Sequence, residues 1–198
     1  MRSLILSKNH FVTAIAVVSA VAACPAHASG MGTGTPGVVM PMVEGSFEFG
    51  GDNIATVYYR HRDSQDIRAG QGGTVSIGLH YRIPNSPWDF AGSFGYKFVR
   101  TASYDSHLGI DRFVFKLTGT CDLGNDFWLS LGPVVHTNTK FDGDGYVPDI
   151  KFNDAVGGAV GVGWRWVGIT YTNIHYHSDD IVGSVDGSSG GVTFIWKF

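Results

Sequence analysis

From Gly73 onward the chain repeats one pattern: runs of about ten residues in which every second side chain is apolar, separated by turn-forming residues. The clearest run is Gly73 to Ile83. Val75, Ile77, Leu79, Tyr81 and Ile83 share one parity, and Thr74, Ser76, Gly78, His80 and Arg82 share the other. A period of two is the side-chain period of a β-strand, so this segment has one fully apolar face and one wet face. Trp88 to Arg100 repeats the split, with Trp88, Phe90, Phe94, Tyr96 and Phe98 opposite Asp89, Ala91, Ser93, Gly95 and Lys97. Strands this one-sided must turn their apolar faces toward either a protein core or lipid.

Six further segments follow the same rule. Val43, Phe47 and Phe49 alternate with Glu44, Ser46 and Glu48. Phe113, Phe115 and Leu117 oppose Arg112, Val114, Lys116 and Thr118, and Phe127, Leu129, Leu131, Pro133 and Val135 oppose Ser130, Gly132 and His136. Val156, Val160, Val162 and Trp164 are interleaved with glycines, and Val167, Ile169 and Tyr171 face away from Gly168, Thr170 and Thr172. The last segment is the C-terminal "GGVTFIWKF". Residues 51–72 form either a long loop with its own small hairpin or a ninth strand. The loop is favoured, because it keeps the count even.

The connections also alternate. Those at 83–87, 121–126 and 164–166 are short, whereas 51–72, 101–110, 138–154 and 178–188 are long. This predicts an all-β fold over residues 43–198: an eight-stranded antiparallel transmembrane β-barrel with short periplasmic turns and longer extracellular loops. The rival is a soluble sandwich or ligand-carrying barrel, in which the apolar faces pack inward. Trp88, Trp128, Trp164, Trp166 and Trp196 fall near strand ends, where indoles suit a membrane interface. Arg82, Asp89, Lys97, Lys116 and Lys197 fall on the wet faces and are expected to pair inside a lumen filled by side chains.

The N-terminus carries Arg2 and Lys8, an apolar run from Phe11 to Ala23, and Ala26-His27-Ala28. This predicts a signal peptide, residues 1–28, cleaved after Ala28, and then an N-terminal segment, 29–42. Val21-Ala22-Ala23-Cys24 also matches a lipobox, in which Cys24 is lipidated and retained. The apolar run is shorter than the roughly 20 residues a spanning helix needs. A net charge of −3 leaves no phosphate-binding surface at the scale nucleic acid requires, so nucleic acid is not an expected partner.

Taken together, the export signal, the amphipathic strands and the terminal "VTFIWKF" resemble the small outer-membrane β-barrel proteins of Gram-negative bacteria. Val192, Phe194, Trp196 and Phe198 match, position by position, the final-strand signal read by the barrel-assembly machinery in those proteins. The resemblance implies residence in the bacterial outer membrane. It also implies contact with outer-membrane lipid and lipopolysaccharide, and with the assembly machinery during biogenesis. A local stretch, "VGITYTNIHYHSDD", is similar to the C-terminal region of the lipid A 3-O-deacylases, whose penultimate strand bears a His-x-Ser-Asn motif. That likeness gives His175 the role of base, puts His177 where the nucleophile stands, and leaves Ser178 beside it with Asp186 as the nearest carboxylate.

Two functions are therefore carried forward. The first is a non-enzymatic barrel with a structural or surface-interaction role, recognition lying in its loops. The alternative is an outer-leaflet lipid A acyl-ester hydrolase using His175, His177, Ser178 and Asp186. No metal or cofactor is expected. His136, His175 and His177 read as rim residues, and Asp142, Asp144 and Asp149 in "DGDGYVPD" read as turn formers. The glycines of "GGAVGVG" precede no helix and so cradle no phosphate.

Overall fold

The computed structural model describes residues 35–58, 64–100, 108–145, 148–180 and 183–198. The expected signal peptide, its cleavage after Ala28, and Cys24 lie outside the described residues, as does 101–107 of the second long loop.

Thirteen strands follow one another: β1 (Val39–Phe49), β2 (Asn53–Tyr58), β3 (Ser64–Arg68), β4 (Gly72–Arg82), β5 (Trp88–Arg100), β6 (Gly109–Gly124), β7 (Phe127–Asp142), β8 (Ile150–Lys151), β9 (Ala155–Trp164), β10 (Val167–Asn173), β11 (His175–His177), β12 (Ser184–Asp186) and β13 (Ser189–Lys197). Eight of them make a closed antiparallel barrel in the order β1-β4-β5-β6-β7-β9-β10-β13, with β13 returning to β1. The closing seam pairs Val43 with Trp196, Gly45 with Phe194 and Phe47 with Val192. No sheet edge remains around the wall, as a membrane-spanning sheet requires.

The apolar parity faces outward throughout. Phe47, Ile77, Leu117 and Ile169 are each at least 63% exposed, and the outward aromatics Phe94, Tyr96, Phe98, Phe113 and Phe115 pack ring against ring along the wall. In water such a surface would aggregate. From Trp88 to Phe98, about 3.3 Å of rise per residue on a strand tilted about 40° gives a band about 25 Å tall, the height of a transmembrane barrel's apolar girdle. The inward parity is polar, so the soluble alternative, which needs the reverse, does not describe this chain.

Turn chemistry explains the short side. Asn125 and Asp126 both take positive φ, 52° and 67°, as a two-residue type I′ hairpin demands. Strands β6 and β7 therefore run to within two residues of each other, and the turn is tighter than the expected 121–126. Arg165, at φ 54°, bends β9 into β10. Its backbone N–H donates to the Asp126 carbonyl at 2.8 Å, its guanidinium meets the Asp126 carboxylate at 3.1 Å, and it covers the Trp164 ring at 4.4 Å.

Two boundaries and one side-chain placement differ from the sequence expectation. Strand β1 begins at Val39, inside the expected N-terminal segment 29–42, because Val39 to Met42 continue the ladder with β4. Strand β7 continues through 138–142, placed in a loop by their polar residues, because 140–142 pair with 109–111 of β6. Trp128 is not in the interface belt. It shares the parity of Ser130, points into the lumen and is 2% exposed. Its ring lies against Gly163 and Gly168, where an added Cβ would collide with it. Its indole N–H donates to the Arg165 carbonyl at 2.9 Å. The other four tryptophans face outward. Within the expected 51–72 loop, and among the described residues, β2 and β3 make a hairpin of their own and pair with no barrel strand, while Gly72 already opens β4.

Candidate functional site: the lumen and its cap

Strand alternation sends the charged residues of the wet parity into a low-dielectric interior, where an unpaired charge is costly. Each expected lumen charge is placed there beside an opposite one. At the end near Val39 and Lys197, Arg82 lies 3.7 Å from Asp122, while Asp89 forms an ion pair with Lys197 at 3.0 Å and meets His80 Nδ1 at 3.0 Å. Midway, Lys116 donates to Glu44. Further up, Lys97, 1% exposed, donates to Glu48 at 2.7 Å, and Glu48 also accepts from Ser46 at 2.8 Å and Ser189 at 2.6 Å. Thr193 on β13 donates to Thr170 on the adjacent β10 at 2.9 Å, on the inner face of the wall.

Among the described residues, cavities of about 20 Å³ lie between these layers, two of them sharing Glu44, Lys116, Thr170 and Thr193 in their walls. Each has room for a water molecule or two, not for a solute. The ion pairs span the bore rather than lining it.

The upper mouth is closed by a second, apolar layer. Inward residues at the strand tops, Val99, Ile110, Val114, Val134 and Phe141, form one cluster with Ile67 and Ala69 from the first long connection, Phe152 from the third, and Ile174 and Tyr176 from the fourth, which opens directly after Asn173 and not at the expected 178. The first, third and fourth long connections are thus not free polar loops. Each carries apolar side chains that fold back over the barrel.

Arg112 fastens this cap. Its guanidinium, 1% exposed, donates to the Ala69 carbonyl at 2.6 Å and the Gln71 carbonyl at 3.0 Å, and lies over the Tyr176 ring at 5.6 Å. Tyr176 in turn shares a 2.5 Å hydrogen bond with His136 Nδ1 and packs on Phe152. Gly187 leaves the space that its ring occupies. Burial pushes the Tyr176 hydroxyl above its ordinary pKa, the nearby Arg112 charge opposing this, so it remains neutral.

Of the residues of the hydrolase alternative, His175 and Asp186 come together, but Ser178 is turned away from both histidine side chains. His175 and His177 face outward from β11, and across the two-stranded sheet His175 Nε2 lies 3.9 Å from Asp186, both about half exposed. Ser178 is buried on the opposite parity with Tyr176. Its hydroxyl donates to the Lys151 carbonyl at 2.7 Å and accepts the Asp180 N–H at 3.1 Å. Among the described residues its hydrogen bonds make a turn and reach neither histidine. His136 is inside, apart from the outward pair, and no metal-binding group of three ligands forms among the described residues. Asp142 and Asp149 cap backbone N–H groups of Asp144 and Gly143 at 3.0 and 2.8 Å. Val192, Trp196 and Phe198 are exposed at the seam and the terminus, and Phe194 stacks with Trp166 and Trp196.

Sequence reasoning did not single out Glu44, Glu48, Asp122, Arg112 or Tyr176. The signal for the first four was parity alone, because each alternates with outward apolar residues. Tyr176 is an aromatic between two histidines, and only the tertiary fold assigns it to the inside.

No protein-family model matches the chain, and no curated protein matches it by sequence. Among solved structures, it is similar to Ail, the attachment invasion locus protein of Yersinia pestis, solved in complex with the heparin analogue sucrose octasulfate. The identity is 13%, the match covers 80% of this chain and 97% of that one, and the TM-score is 0.34.

Proposed function

We propose that this chain is a bacterial outer-membrane protein that works as a closed, non-enzymatic barrel, holding a packed cap at the cell surface for structural or adhesive interactions. The observation that carries this reading is the pairing of a lipid-type exterior with an interior shut twice, by the Glu44–Lys116 and Glu48–Lys97 ion pairs and by the apolar cap. A pore would need both of these layers to open. Export by a cleaved signal peptide and recognition of Val192, Phe194, Trp196 and Phe198 by the assembly machinery belong to the same reading. So does residence among lipopolysaccharide and other outer-membrane lipids.

The test combines fractionation with conductance. The protein should sediment with outer membranes, show a mobility on unboiled gels that shifts on heating, and give no stepwise conductance in planar bilayers. Release into the soluble fraction without detergent would refute the membrane reading, and regular channel openings would refute the closed lumen.

A further inference from the structure

Charged side chains that face outward on the eight barrel strands are few and gathered in one place. Among the described residues they are Arg100 at the upper end of β5, Asp111 on β6, and Lys140 and Asp142 on β7. The outward parity of β1, β4, β9, β10 and β13 carries no charge over its whole length. The three charged strands are consecutive in the wall, and β8 adds Lys151 beside them. Arg100 is the next outward position beyond Phe98, and Asp111 the next beyond Phe113, so the arc sits at the upper edge of the apolar belt.

Within the arc the charges are not balanced in place. Arg100 and Asp111 neutralise each other at 2.6 Å. Asp142 accepts the Asp144 N–H. Lys140 is in register with Asp111 on one side and directly opposite Lys151 on the other, and both lysines are exposed. Neither has an ion pair within 4 Å among the described residues. Like charges directly opposite on paired strands repel. Here that repulsion falls on β8, a strand of only two residues held against β7.

We infer that Lys140 and Lys151 form a docking point for the phosphate of an outer-leaflet lipid headgroup, an inference that rests on the membrane reading above. The arc faces the side where lipid lies, at the level of headgroups, where a lysine pair attracts an anion and an anion relieves the lysine pair. Arg100, held by Asp111, marks the edge of the site. A lipid anion is favoured over a free one because the arc continues the lipid-facing surface instead of entering a pocket.

The test uses the full chain folded into phosphatidylcholine vesicles with and without diphosphoryl lipid A, comparing wild type with Lys140→Ser/Lys151→Ser and Lys140→Arg/Lys151→Arg. Lipid A retained by the protein is measured after purification. About fivefold in affinity for each lysine predicts about a 30-fold loss in the serine variant and retention in the arginine variant. Equal retention by wild type and the serine variant, both with heat-shifted mobility, overturns the inference while the barrel stands. Displacement of lipid A by inorganic phosphate at concentrations that leave the vesicles intact overturns it in favour of a soluble anion. Failure of the wild type to insert into either vesicle overturns the membrane reading and this inference with it.

Discussion

Arg112 on β6 and Tyr176 on β11 meet across the barrel mouth, the guanidinium 5.6 Å from the ring centroid. They tie together connections that are far apart in sequence, since the same guanidinium holds the Ala69 and Gln71 carbonyls. The cap is therefore fastened to the wall at one buried cation.

Arg112→Met keeps the bulk and removes both donors. It should loosen the cap by about 2–4 kcal/mol, the range for losing charge-assisted hydrogen bonds to buried carbonyls. The Ala69 and Gly70 amides, which bond to Asp52 and Gly50, should exchange faster in hydrogen-exchange measurements, while amides in the wall stay protected.

The Glu48–Lys97 pair gives a double-mutant test. Lys97→Met alone strands a carboxylate that is deeply enclosed, at a cost of about 3–5 kcal/mol in denaturant unfolding. Adding Glu48→Gln should recover most of that loss, because the buried charge is then gone. Additive losses would mean that the two side chains do not depend on each other.

Gly163→Val should be far more damaging than Gly158→Val. The first side chain enters the Trp128 ring, whereas the second points outward with only a backbone oxygen 4.0 Å away. A loss of about 2 kcal/mol or more at 163 against a change within about 1 kcal/mol at 158 is the expected pattern, read by thermal unfolding of the refolded barrel.

Ser178→Ala removes a hydroxyl that bridges Lys151 and Asp180. It should cost about 1 kcal/mol of local stability and leave the acyl pattern of lipid A unchanged in mass spectra of cells carrying either form. A pattern that differs between cells with and without the wild-type protein, and reverts with Ser178→Ala, would favour the hydrolase alternative over the non-enzymatic reading.

The wall was legible in the sequence because a strand's two-residue period converts directly into inside and outside. Phe94 and Lys97, three positions apart, could be assigned to opposite faces without knowing the fold. The alternation of short and long connections then gave the topology. The cap was not legible, since Ile67, Phe152 and Tyr176 stand singly in polar stretches with no period to reveal a shared core. Trp128 was misplaced for a related reason. Its type suggests an interface, but its parity with Ser130 and the glycines at 163 and 168 put it inside.

The central claim is that the outward parity meets lipid acyl chains. Nuclear Overhauser contacts between acyl-chain protons and side-chain methyls, measured on the chain in lipid nanodiscs, test it residue by residue. Ile77, Leu79, Leu117, Val162 and Ile169 should show contacts to acyl chains, and Val114, Val134 and Ile110 should show none. Acyl contacts at the second set, or water contacts at the first, would contradict the account.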